Sequence, residues 1–71
     1  MTHRFKTHDR VSWNTPQGIT YGEVVRVITQ RTTFAGHTVA ASKDDPHYEV
    51  ASEKSGKHAV HRGDGLQPIK D

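Results

Sequence analysis

The side chains best suited to chemistry in this chain are its histidines. His58 and His61 stand three apart in H-A-V-H, a spacing at which two imidazoles can share a metal when it falls on a helix. On a strand, residues three apart face opposite sides, so a metal site built from this pair alone is not expected. His61 is read instead as a polar group hydrogen-bonded near one end of the fold. The chain has no cysteine, which removes thiolate zinc sites and disulfides together. Serine and threonine are plentiful, yet no nucleophile elbow and no metal-ligand spacing accompanies them. A core this small also leaves little room for a desolvated pocket. The chain is therefore read as non-enzymatic, with no cofactor and no metal.

Aromatic side chains offer a different chemistry. Trp13, Tyr21, Phe34 and Tyr48 are rings of the kind that cage a cationic side chain, held by attraction between the charge and the ring faces. Such a cage needs an acid nearby, and Asp44, Asp45 or Glu49 would serve. The competing reading makes these rings core aromatics, and strand parity favours it for Trp13 and Tyr48. Lys43, Asp44 and Asp45 form a charged turn suited to a cation or a basic peptide, although Asp44 and Asp45 are better read as caps on neighbouring backbone N–H groups. Arg4, Lys6, Arg10, Lys54, Lys57 and Arg62 form a candidate basic patch for nucleic acid. Nucleic-acid modules pair such charge with exposed rings for stacking. Here the charges are interleaved with Asp9, Glu53 and Asp64, and a solvated mixed face is the favoured reading. The R-G-D tripeptide at 62–64 is treated as coincidence.

Placing these residues requires the elements that carry them. D-R-V-S-W-N sets Val11 and Trp13 against Ser12, a period of two that reads as a strand. Pro16 and Gly18 then predict a tight connection over Asn14–Gly18. I-T-Y-G-E-V-V-R-V-I-T is the longest strand candidate. Ile19, Tyr21, Val25 and Val27 share one parity, Val24 and Ile28 the other, and Gly22 marks the expected bulge or bend. Residues 30–41 continue outward and turn at Ala35–Gly36, which predicts a partly packed hairpin arm with Phe34 and Val39 as its large apolar groups. Ser42 with Asp45 three residues later resembles a helix start, but Pro46 disfavours α geometry at Asp45. The segment therefore predicts a single capped turn, Ser42–Asp45, ahead of a strand over P-H-Y-E-V-A-S that points Tyr48 and Val50 one way. Gly56 supplies the positive φ of a hairpin turn in E-K-S-G-K, and K-H-A-V-H is the next strand. Leu66 and Ile69, on either side of Pro68, read as a short 3-10 turn leading to a terminal strand stub. No segment sustains a period of 3.6, so little or no α-helix is expected.

The bulk numbers agree with one small domain. Of 71 residues, 13 are Leu, Ile, Val or Phe, and the net charge of +2 is too small to hold the chain open. A chain of this length buries roughly 60–65% of its unfolded surface, so it needs good sheet packing or a second copy as a staple. Residues 1–8 read as a loose arm and 9–70 as the domain. The pI near 9.2 rests on ten Lys and Arg against eight acids, a weak excess. No apolar run approaches the ~20 residues of a membrane span, and M-T-H-R-F-K-T-H has no apolar signal region. A bacterial-type cytoplasmic location and no membrane partner are expected. The partners expected are an unidentified protein or peptide and a second copy meeting through residues 29–40.

The opening F-K-T-H-D-R-V-S-W-N followed by Y-G-E-V-V-R-V resembles tudor and KOW-type modules. More specifically, F-K-x-x-D-x-V-x-W, G-x-V, F-A-G-H-T-V-A-A-S-K-D-D-P-H-Y-E-V and S-G-K-x-A-x-H resemble the hypervirulence-associated tudor-like domain family. The resemblance runs from Phe5 to Leu66, and S-K-D-D-P-x-Y-E-V is its most specific part. It implies a small bacterial or fungal tudor-like β domain and no established catalytic activity. With the strand pattern, it predicts an all-β fold: a small SH3-like or tudor-like barrel of 4–5 antiparallel strands. The expected function is that of a non-catalytic interaction module, with weak, salt-dependent nucleic-acid binding as the alternative.

Overall fold

A computed structural model describes residues 4–69. It contains strands β1 (Arg10–Thr15), β2 (Gly18–Ile28), β3 (Thr32–Phe34), β4 (His37–Val39), β5 (His47–Ser52), β6 (His58–Arg62) and β7 (Gln67–Pro68). A 3-10 turn at Gly63–Gly65 precedes β7. Among the described residues there is no α-helix. One antiparallel sheet runs in the order β6-β5-β2-β1-β7, and β3 and β4 form a separate hairpin. The chain is all-β, as its period-two patterning demands.

The register explains which side chains meet. Val11 lies opposite Gly22, Val24 opposite Val50, and Tyr48 opposite His61. Directly opposed residues share a face, so these positions build one inner surface. Phe5, Val11, Trp13, Val24, Tyr48, Val50 and Leu66 form its core, with Val27 and Ala59 packed against it. Trp13 on β1 and His61 on β6 lie three strands apart in the ladder. On a flat sheet that separation is roughly 14 Å, yet their ring centroids are 5.6 Å apart. The sheet therefore curls over its own core, while its edge strands β6 and β7 do not pair with each other.

The irregularity expected at Gly22 lies further along the strand. Val24 pairs with Val50 and Arg26 with Glu49, so Val25 is the extra residue of a bulge. The bulge reverses parity. Val24 and Val27, of opposite parity, both face the first core, while Ile28 is turned to the other side. One strand thus feeds two apolar clusters, because one inserted residue moves every later side chain to the opposite face. Gly22 answers a different need. A Cβ there would run into the backbone carbonyl of Ala51 and lie 2.8 Å from the Trp13 ring. The indole crosses the sheet where only glycine leaves room.

The second cluster is Ile28, Val39 and Ala41, with Phe34 and Val60 against it. The β3–β4 hairpin supplies Phe34 and Val39, so this arm packs onto its own domain. Its turn sets Ala35 at φ 50° and Gly36 at φ 80°, the paired positive φ of a two-residue hairpin turn. The Ser42–Asp45 turn forms as expected: the Asp45 N–H donates to the Ser42 hydroxyl at 3.1 Å and to its carbonyl at 3.2 Å. The arm expected to be loose is anchored over its described part. Phe5 is buried, its N–H donates to the Tyr48 hydroxyl at 3.2 Å, and the His8 N–H donates to the Val24 carbonyl at 2.7 Å. A thin core recruits the one large apolar side chain among the described residues of the arm.

Candidate functional site

Two hairpin tips stand side by side at one end of the sheet. The β1–β2 tip is set by Thr15, whose hydroxyl donates to the Gly18 carbonyl at 2.8 Å and accepts the Gln17 N–H at 3.2 Å. The β5–β6 tip is set by serines. The Ser52 hydroxyl accepts the Ser55 N–H at 3.5 Å, and the Ser55 hydroxyl accepts the Lys57 N–H at 3.3 Å. Gly56 takes φ 72° and donates to the Ser52 carbonyl at 2.8 Å. β2 outruns β5: their last pair is Gly22 with Ser52, so residues 18–21 have β1 on one side and no strand on the other.

Between the tips opens a groove of about 770 Å³, lined among others by Arg10, Trp13, Ile19, Tyr21, Lys54 and Lys57. Trp13 is only 6% exposed, whereas Ile19 and Tyr21 are 61% and 51% exposed. The two lie on the face of β2 turned away from the core, and no other large apolar side chain among the described residues is exposed. Arg10 is ion-paired with Glu53 across the groove wall. Among the described residues, no carboxylate pairs with Lys54 or Lys57.

The other sequence-derived candidates are dispersed. Of the four rings proposed for a cage, Trp13 and Tyr48 are buried in the first core and Phe34 is half-buried in the second cluster. Tyr21 alone is open. Tyr48 stacks edge-to-face on Phe5 at 5.3 Å and 89°, not on another cage candidate. The aromatic cage is therefore not assembled, because inward strand parity and a shortage of aliphatic residues draw the rings into the core. Two of its three candidate acids are occupied too. The Asp45 carboxylate takes Arg62 at 3.3 Å through both oxygens rather than capping backbone. Glu49, its side chain 15% exposed, holds Arg26 at 3.0 Å and His58 at 2.7 Å. Asp44 is exposed.

The basic set divides. Arg10, Lys54 and Lys57 gather at the groove. Arg62 sits at the far end of β6 with Asp45, and Arg4 donates to the Lys43 carbonyl at 3.4 Å. Lys6 is exposed, its N–H donating to the Asp9 carboxylate at 2.8 Å. His58 and His61 face opposite sides of β6, as strand geometry requires. His61 lies against Trp13, and desolvation by burial pushes its pKa below the usual histidine value. Among the described residues, no three His, Asp or Glu gather in a way that could hold a metal. No described helix is long and apolar enough to cross a membrane.

Sequence reasoning did not single out Ile19. The signal was present: Ile19 and Tyr21 share the parity opposite to Gly22 and Val24, and the register with β1 places that parity outside. What no local pattern announced is the overhang of β2 beyond β5, which turns two outward side chains into one wall of a groove.

The family model for the tudor domain of hypervirulence-associated proteins matches residues 9–66. No curated protein and no solved structure matches the chain. The matched span takes in β1 through the 3-10 turn and its following residue, Leu66, including both hairpin tips. The chain belongs to the hypervirulence-associated tudor domain family.

Proposed function

We propose that this domain is a non-catalytic interaction module of tudor-like type, its curled sheet a variant of the SH3-like barrel, and that it engages a protein segment in the groove between the two hairpin tips. The observation that carries this reading is the exposure of Ile19 and Tyr21 side by side. Fully burying one such side chain is worth about 1.5–3 kcal/mol. In a chain with so few large apolar residues, two left in water weigh heavily against a total stability of about 5–15 kcal/mol. Both point into one concavity rather than standing singly on the surface, and apolar concavities are where ligands seat. Self-association through residues 29–40 is less favoured, because Phe34 and Val39 pack within the chain and leave the arm little apolar surface to offer. Nucleic-acid binding is also less favoured, since among the described residues Tyr21 is the single exposed Phe, Tyr or Trp beside the basic residues.

The test is site-specific photo-crosslinking in a cell extract, with the photoreactive residue at Tyr21 and, in a control protein, at the exposed Lys43. The expected result is a discrete protein adduct from position 21, lost on Ile19→Ser, whose identified partner then binds the purified domain. Equal adducts from both positions, or an adduct indifferent to Ile19→Ser, count against the reading.

A further inference from the structure

We infer that the groove between the hairpin tips takes an extended, acidic peptide carrying one bulky apolar side chain, added as a short strand beside the start of β2. The inference rests on the interaction-module reading above and names the class of partner.

The backbone supplies the first argument. Residues 18–21 have β1 on one side and no strand on the other. The Tyr21 carbonyl accepts the Glu53 N–H at 2.9 Å on that open side. In an antiparallel strand a residue's N–H and C=O point the same way and alternate along the chain. The backbone groups of Ile19 therefore point to the open side as well, toward the groove. A segment lying there in extended form completes a ladder that β5 leaves short, the mode by which peptides add to sheet edges. Its outward side chain meets Ile19 and Tyr21.

Charge supplies the second argument. The groove lining contains Arg10, Lys54 and Lys57 against Glu53 as its one carboxylate. That excess equals the whole formal net charge of the chain, +2, so the remaining formal charges cancel in sum while the groove lining keeps an excess of two cations. Arg10 is held by Glu53, while Lys54 and Lys57 have no carboxylate partner among the described residues. They flank the apolar wall on a tip whose shape is preset by Ser52, Ser55 and Gly56, and presetting lowers the entropy cost of binding. Carboxylates of the peptide match these ammonium groups. A nucleic-acid strand is the poorer fit: it needs a continuous stripe of cations and successive stacking rings. Arg62 is engaged with Asp45 elsewhere, and Tyr21 is the single exposed Phe, Tyr or Trp among the described residues.

The test is selection of random octapeptides on the whole domain, followed by fluorescence anisotropy with the enriched peptides. The expected result is enrichment of sequences with Asp or Glu flanking one aromatic or branched aliphatic residue. Exposed ion pairs are modest, so Lys54→Glu with Lys57→Glu should weaken the winner about ten-fold and favour its charge-reversed counterpart. Ile19→Ser and Tyr21→Ser should each reduce binding, with the thermal transition unchanged. Enrichment of neutral or basic peptides that still need Ile19 and Tyr21 overturns the acidic assignment and leaves the module reading standing. Peptides indifferent to all four residues, or no enrichment at all, overturn both. Retention of single-stranded DNA in place of peptides at low salt, collapsing as salt rises, replaces the peptide with nucleic acid.

Discussion

Ile28 and Ile19 are the same residue type on the same face of the same strand, and they have opposite fates. Ile28 is 4% exposed and Ile19 is 61% exposed. At the Ile28 end, the β3–β4 hairpin folds back and covers the sheet with Phe34 and Val39. At the Ile19 end, β2 runs past β5 and nothing among the described residues lies over it. Between them Arg26, Glu49 and His58 form a polar band across three strands. The chain supplies its own cover at one end and leaves the other open. Apolar surface at the closed end stabilises the fold, and apolar surface at the open end is available to a partner.

That contrast has measurable consequences. The largest effect is expected between the two ends, at Gly22→Ala. Its new methyl meets the Ala51 carbonyl and the Trp13 ring, neither of which can move aside cheaply. A loss of roughly 4 kcal/mol is expected from such overpacking, read by urea denaturation. Wild-type stability in this variant would mean that the indole does not cross the sheet at this point. Ile28→Ala comes next, at about 3 kcal/mol for a buried isoleucine cut back to a methyl. The paired measurement on Ile19→Ala should stay within about 0.5 kcal/mol of wild type. Similar losses at both positions would erase the distinction between closed and open ends.

The polar band gives a smaller effect. Glu49→Gln keeps the shape but removes the charge that Arg26 and His58 face, and about 1 kcal/mol is expected, discounted because both partners are largely exposed. Raised salt should narrow the gap between variant and wild type. His61 adds a dependence on pH. Burial favours its neutral form in the fold, so the unfolded chain takes up the proton first. Above the usual histidine pKa of about 6.5 neither state is protonated and the residue is silent. As pH falls below that value, stability declines until the folded form protonates as well. His61→Gln should flatten that part of the stability profile, and an unchanged slope would show that burial of His61 is not its cause. The smallest effect is expected for Tyr21→Ser at the open end, within about 0.5 kcal/mol.

Much of this architecture can be read from local pattern. Val11 and Trp13, and Tyr48 and Val50, alternate with polar neighbours, and all four are buried. Gly18, Gly36 and Gly56 stand where the chain needs positive φ, and all three adopt it. Ser42 caps its turn ahead of Pro46. Period, turn chemistry and capping involve residues within a few positions of one another, so the amino-acid order alone determines them.

Coverage is different. Tertiary pairing placed the bulge at Val25 rather than Gly22, drew Phe5 into the core, sent Asp45 to Arg62, and distributed the four rings among core, second cluster and solvent. Each depends on which distant segment arrives opposite, and a shift of one residue in register exchanges inside for outside. The order of residues determined which side chains can be buried. Only the assembled sheet decided which of them its own chain covers, because a strand's length beyond its neighbour is a property of the pair and not of the strand.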